Sequence, residues 1–83
     1  SAASDVYKRQ AVISIIKGID ERINMHDFRV VTGPTHTNII FDVLIPYKFQ
    51  IQDDELAARI TSQVRERLGN NYYVVIKVDH SYV

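Results

Sequence analysis

The side chains best suited to hold a cation are three histidines and a few carboxylates, because the chain of 83 residues contains no cysteine. His26 and Asp27 are adjacent, so an imidazole could supply a metal-binding nitrogen while the carboxylate ligates or orients it. His36 falls in a predicted turn and His80 near the C-terminus, positions where histidines are more often surface residues than ligands. The histidines alone therefore do not define a site.

Two further carboxylates, Asp42 and Asp79, each lie in a predicted strand on the face opposite the large apolar side chains. If the two strands are parallel neighbours, the carboxylates approach one another and favour a cation. Ile40, Leu44 and Val75 share this face, which makes it too apolar to be left wholly exposed and a candidate surface for a partner. The alternative is that both aspartates are ordinary solvated strand residues.

The position of His26 conflicts with simple strand alternation. Alternation places His26 on the same side as Phe28 and Val30, which is the apolar side of its strand. The imidazole reaches the face of Asp42 only if the beginning of the strand is bulged or irregular.

The elements that position these residues follow from the hydrophobic periodicity. Apolar residues at spacings of three and four predict a first helix through residue 23, and Gly33-Pro34 separates two strands over residues 25–32 and 38–45. Asp53 opens a second helix, and a last strand covers residues 72–79. The helix stripes are Val12, Ile15, Ile16, Ile19 and Ile23 in the first helix, and Leu56, Ile60, Val64 and Leu68 in the second.

This order predicts an α+β fold, α-β-β-α-β, with two helices on one face of a three-stranded mixed sheet, in the manner of ferredoxin-like and metallochaperone-like domains. The first two strands form a hairpin, and the last returns by a right-handed parallel crossover. Residues 1–10 show no sustained period and are expected to be a non-native or disordered leader, although Ser4 or Asp5 could cap a helix there. Residues 11–83 then form the domain.

Composition excludes several classes of function. The formal net charge is zero, which argues against a nucleic-acid partner. No phosphate-binding glycine loop, nucleophile elbow or His-Glu-x-x-His motif is present, so we expect no enzyme. No apolar run approaches the ~20 residues that span a bilayer, so a soluble domain is expected. At this length, association of two copies would add useful stability.

The chain resembles the C-terminal domain of cation diffusion facilitators, which are divalent-metal efflux transporters. The resemblance rests on the order and spacing of short segments from residue 19 to residue 80. They are His-Asp-Phe-Arg-Val at 26–30, Gly-Pro at 33–34, the apolar strand 39–43, the helix stripe within 60–68, and Val-Val-Ile-Lys-Val-Asp at 74–79.

The resemblance implies a homodimeric domain on the cytoplasmic side of the membrane, attached to the transmembrane domain of the same transporter. It assigns metal-ligand positions to His26, Asp42 and Asp79, although the family has a histidine at the position of Asp42. A second family histidine is replaced by Lys77, a poor ligand, and His80 could substitute from the next position. The implied ion is Zn²⁺, or Mn²⁺ or Fe²⁺ because of the oxygen donors, and binding of no metal stays open.

The candidate dimer interface consists of Ile40, Leu44, Val75 and Lys77 on the same sheet face. A second interpretation is a free-standing ferredoxin-like domain that binds a metal or a small molecule. A copper chaperone of that type would use Cys-x-x-Cys, which the chain lacks.

Overall fold

The helices and strands occur in the predicted order, α-β-β-α-β. The computed structural model describes residues 2–83. The elements are α1 (Ala2–Ile19), β1 (Asn24–Thr32), β2 (Thr37–Ile45), α2 (Asp53–Leu68) and β3 (Tyr72–His80). Strand β2 is central, antiparallel to β1 and parallel to β3, which confirms the mixed three-stranded sheet.

One hydrophobic core lies between the helices and one face of the sheet. Strand β2 supplies its odd-numbered residues, from Ile39 to Ile45, and each is fully or almost fully buried. The predicted helix stripes face them, because both have the three- and four-residue spacing that keeps side chains on one side of a helix. The buried members of the stripes are Val12, Ile15 and Ile16, and Leu56, Ile60 and Val64. The predicted first helix was too long, because α1 ends at Ile19; Ile23 is buried in the core from the turn after the helix. Each large side chain buried in this way contributes about 1.5–3 kcal/mol, so the core fixes the face on which the helices pack.

The ends of α2 follow from local chemistry. Acidic residues occupy its first turn, where they interact favourably with the positive end of the helix dipole. At the other end Gly69 adopts a φ of 126° and donates its backbone N–H to the carbonyl of Arg65 at 2.9 Å. This conformation is strained for any residue with a Cβ, so Gly69 ends the helix and redirects the chain into β3.

Residues 2–10 differ from the expected disordered leader, because they form the first half of α1. Ala11 and Val12, which follow directly, are buried in the core and anchor the helix. Val6 and Tyr7 remain exposed, which explains why no apolar period is visible in this segment. Helix α1 therefore begins on the N-terminal side of residue 11.

Within residues 2–83, neither helix has the length and apolar character required to cross a membrane.

Candidate cation site and dimer face

Strand β1 contains one residue more than the stretch of β2 opposite to it, and this determines the direction of His26. His26 pairs with Asp42 in the antiparallel ladder, and the register then shifts. Asp27 and Phe28 together lie opposite Phe41. Asp27 has a φ of 58°, a left-handed conformation that aspartate tolerates better than most residues. The bulge places His26 on the same face as Asp42, while Phe28 stacks on Phe41 in the core with ring centroids 6.3 Å apart.

The sheet face turned away from both helices, here called the open face, consists of four rows with one residue from each strand. The rows are Asn24–Leu44–Asp79, His26–Asp42–Lys77, Arg29–Ile40–Val75 and Val31–Asn38–Tyr73. All four predicted interface residues and three of the four predicted metal ligands lie on this face.

The charged residues of the open face gather around Lys77. Lys77 is the register partner of Asp42, and its Nζ lies 3.7 Å from Oδ1 of Asp79. Asp42 and Asp79 occupy adjacent rows on neighbouring parallel strands, so the expected approach of the two carboxylates is diagonal. His26 completes the row of Asp42 and Lys77 from the exposed edge strand β1.

His80 lies apart from the other predicted ligands. It shares the side of the sheet occupied by the helices, where its Nε2 lies 2.9 Å from Oδ1 of Asp53 at the start of α2. His80 directly follows Asp79 in β3, and successive side chains of a strand point to opposite faces. The two side chains therefore lie on opposite sides of the sheet. His80 consequently cannot substitute for the histidine that is replaced by Lys77.

The donors on the open face do not make a complete metal site. Among residues 2–83, no three side chains of His, Asp or Glu form a group able to hold a metal ion. A structural zinc site takes four ligands, whereas His26 and Asp42 offer two adjacent donors. Lys77, next in the row, carries three N–H donors and no lone pair, so it cannot ligate a cation. The residues present in one copy therefore do not fit a zinc site.

Most of the other side chains of the open face are apolar and partly exposed. Val75 and Tyr73 are each 52% exposed and Val31 is 49% exposed, while Ile40 and Leu44 on the central strand are half-buried. Large apolar side chains in such a continuous arrangement are typical of an interaction surface. Val31 lies on this face by the same alternation that places Phe28 and Val30 on the core side, but the predicted interface did not include it.

Tyr73 is held in place from two sides. The ring of His36 stacks on it with a centroid distance of 4.2 Å, and the guanidinium carbon of Arg65 lies 5.6 Å from the centre of the tyrosine ring. These contacts orient an aromatic side chain at one end of the open face, and aromatic residues are enriched in protein interfaces. Strand alternation does place Tyr73 on this face, but the residues that fix its ring come from a turn and a helix.

Comparison with known proteins identifies the family. A sequence-family model described as "Cation efflux protein, cytoplasmic domain" matches residues 6–81. Among solved structures, the metal-bound C-terminal domain of the CzcD transporter from Thermotoga maritima superposes with a TM-score of 0.76 at 19% identity, covering 93% of this chain and 91% of that one. The likeness shows a shared fold. No curated protein sequence matches the chain significantly. Since the family match covers almost the whole chain, the chain belongs to the family of cation efflux protein cytoplasmic domains.

Proposed function

We propose that this chain is the dimerisation and regulatory domain of a divalent-metal efflux transporter, a metal/proton antiporter. Its partners in this proposal are a second copy of itself and the transmembrane domain of the same transporter, with the domain on the cytoplasmic side of the membrane. Membership of a transporter family supports this role and offers no support for an enzyme. No observation favours a free-standing ligand-binding domain.

The observation that carries the proposal is the open face. Both helices pack on the other side of the sheet, so Ile40, Leu44 and Val75 have no cover within residues 2–83. The charges on the face are balanced, because Asp42 and Asp79 are accompanied by Lys77 and Arg29. A surface that meets an identical copy of itself must be self-complementary, and a face of mixed apolar residues and balanced charge satisfies this condition.

The size of the open face sets the expected strength of association. Three strands about 4.8 Å apart, each nine residues long at about 3.3 Å per residue, give a face of about 400 Å². Stable interfaces bury about 800 Å² per partner, so we expect this face alone to support weak association. Attachment to a membrane domain that holds two copies together would raise the effective concentration and compensate for the small area.

A divalent ion contributes to this function only weakly in our proposal. The Thermotoga CzcD domain is metal-bound, but here two adjacent donors, His26 and Asp42, stand beside the ammonium of Lys77. The carboxylate of Asp42 in place of an imidazole shifts the preference of the site towards Mn²⁺ or Fe²⁺, and two donors bind any divalent ion with low affinity.

Sedimentation velocity in the presence of EDTA tests the proposal, with protein from the low micromolar to the near-millimolar range. We expect a monomer–dimer equilibrium that Val75→Lys weakens about tenfold or more, because the two-fold symmetry introduces the unpaired charge twice. Thr32→Lys is the matched control, since it adds the same charge to an exposed position on the other side of an edge strand. A wild type that is monomeric throughout, or equal effects of both substitutions, would contradict the proposal.

A further inference from the structure

The charges of the open face are arranged around one ammonium. Lys77 has Asp42 as its neighbour on the adjacent strand, at the ~4.8 Å spacing of paired strands, and Asp79 two residues along its own strand. The Nζ of Lys77 lies 3.7 Å from the Asp79 carboxylate. Both carboxylates are half-buried already in a single copy, while the lysine side chain is 72% exposed and free to swing between them.

The second cation of the open face, Arg29, is directed towards the bulge and away from these carboxylates. Arg29 lies in the next row of the open face, but its Nη1 donates a hydrogen bond of 2.9 Å to the carbonyl oxygen of Asp27 in the bulge. The compensation of Asp42 and Asp79 therefore falls to Lys77.

This compensation becomes important when two open faces meet. A carboxylate that loses its water without gaining a cation or hydrogen-bond donors is strongly destabilising. A protein can supply the missing positive charge with a bound metal ion or with one of its own side chains. Here the side chain already pairs with Asp79, and Asp42 is its register partner on the adjacent strand.

We propose that the ammonium of Lys77 is the resident cation of the open face and occupies the place that a divalent ion would need, so that two copies associate without metal. The second part of this inference, that two copies associate without metal, rests on the proposed function. A divalent ion brought to Asp42 and Asp79 meets like-charge repulsion from Lys77 at close range, and it receives no ligand from that residue. Self-association of the domain is consequently constant with respect to metal supply, and the sensing of metal lies outside this face.

Replacement of Lys77 tests the inference in both directions. The tag-free wild type, Lys77→His and Lys77→Met are compared after EDTA treatment, with zinc and manganese chloride added separately. Lys77→His places a third donor beside His26 and Asp42, with Asp79 as a fourth. Lys77→Met keeps an unbranched apolar chain at the same exposed position but removes the charge. Thermal melting, calorimetric metal titration and sedimentation velocity are recorded for each protein, and circular dichroism confirms that each is folded.

For the wild type we expect no change of melting temperature with either metal and equal association with and without EDTA. For Lys77→His we expect zinc at a hundredfold excess over its dissociation constant to raise the melting temperature by about 10 °C or more. For Lys77→Met we expect association in EDTA to weaken about tenfold, because two carboxylates lose their cation.

Three results would overturn the inference: zinc stabilises the wild type as strongly as Lys77→His, Lys77→His gains no zinc binding, or Lys77→Met associates in EDTA as tightly as the wild type. Failure of the proposed function gives a different pattern. In that case the wild type is monomeric in EDTA, while the metal titrations of wild type and Lys77→His still differ as predicted, since each titration reads the site in a single folded copy.

Discussion

Deletion of Asp27 should leave the fold and the open face unchanged, because Asp27 is the residue by which β1 exceeds β2. Without it, Phe28 alone lies opposite Phe41 and His26 still pairs with Asp42. The deletion removes a left-handed backbone conformation, which costs about 1 kcal/mol for a residue other than glycine. A regular ladder in place of the bulge is worth up to about 1 kcal/mol.

The gain is reduced by the loss of one exposed hydrogen bond, from Arg29 to the carbonyl of Asp27, worth up to about 1 kcal/mol. The net expectation is an increase of about 1 kcal/mol in the free energy of unfolding, which raises the melting temperature by about 4–8 °C for a domain of this size. Urea unfolding measures the first quantity and a thermal melt the second. Cross-strand nuclear Overhauser contacts between residues 26 and 42 report the register.

Deletion of Ile40 is the matched control, since it also removes one residue from the β1–β2 pair but from a strand with no residue to spare. It turns part of the core face of β2 towards the solvent, so we expect this variant not to fold. The interpretation of the bulge would be refuted if deletion of Asp27 lowered the free energy of unfolding by more than about 2 kcal/mol. Loss of the contacts between residues 26 and 42 in a folded protein would refute it equally.

Three further predictions concern positions outside the open face. Arg22 hydrogen-bonds the carboxylate of Asp20 and lowers the pKa of that group from 3.8 to about 2. The resulting stabilisation is present above pH 3.8 and is lost as the pH falls through 2. The difference in melting temperature between wild type and Asp20→Asn should therefore shrink over that range. A constant difference would exclude the Asp20–Arg22 interaction as its cause. His80→Ala should lower the free energy of unfolding by at most about 1 kcal/mol, measured in urea, because its hydrogen bond with Asp53 is half exposed. It should not alter self-association, and weaker dimers would place His80 in the interface. Gly69→Ala should destabilise by more than about 1 kcal/mol because of the positive φ, whereas Gly18→Ala, within α1 and without neighbours, should stabilise by a similar amount. Equal effects of the two glycine substitutions in urea unfolding would refute the assignment of strain to Gly69.

Much of the fold could be predicted from the sequence because its signals are local. The spacing of four from Leu56 to Val64 and the alternation from Ile39 to Ile45 each identify the element and its buried side, and the structure confirms both. The turn at Gly33-Pro34 separates two strands that pair as expected, closed by a hydrogen bond from Gly33 N–H to the carbonyl of His36 at 2.9 Å.

The sequence predicts that His26 shares a face with Asp42 only on the condition that the start of the strand is bulged or irregular. Alternation pointed it into the core, and an irregular strand was required to reverse it. A bulge adds one residue to one strand, and alternation continues on either side of it. Its position is therefore determined only by which residues pair between the two strands. Arg29 and Val31 lie on the open face by plain alternation with Phe28 and Val30, so the bulge decides only the direction of the residues before it.

The helical state of residues 2–10 could not be predicted from the sequence for a different physical reason. A helix shows an apolar stripe only where it is packed against something, and the first half of α1 extends beyond the core with Val6 and Tyr7 exposed. Its helical state depends on continuation from the buried turn at Ala11 and Val12, since propagation from an existing turn is far easier than nucleation. Composition alone does not reveal such continuation.

The parallel pairing of β2 with β3 has a consequence for the order in which the domain can fold. Strand β2 carries the centre of the core, and β1 reaches one of its edges through a short turn. Its other edge pairs with β3, which follows β2 in the sequence only after the whole of α2. The last pair of this parallel ladder is Ile45 with His80. During synthesis the hairpin and α1 are complete while β2 still presents an unpaired, strongly apolar edge, and contacts of such long sequence separation form slowly. The interval before β3 leaves the ribosome is therefore the period in which this domain is most exposed to wrong strand pairing with other chains.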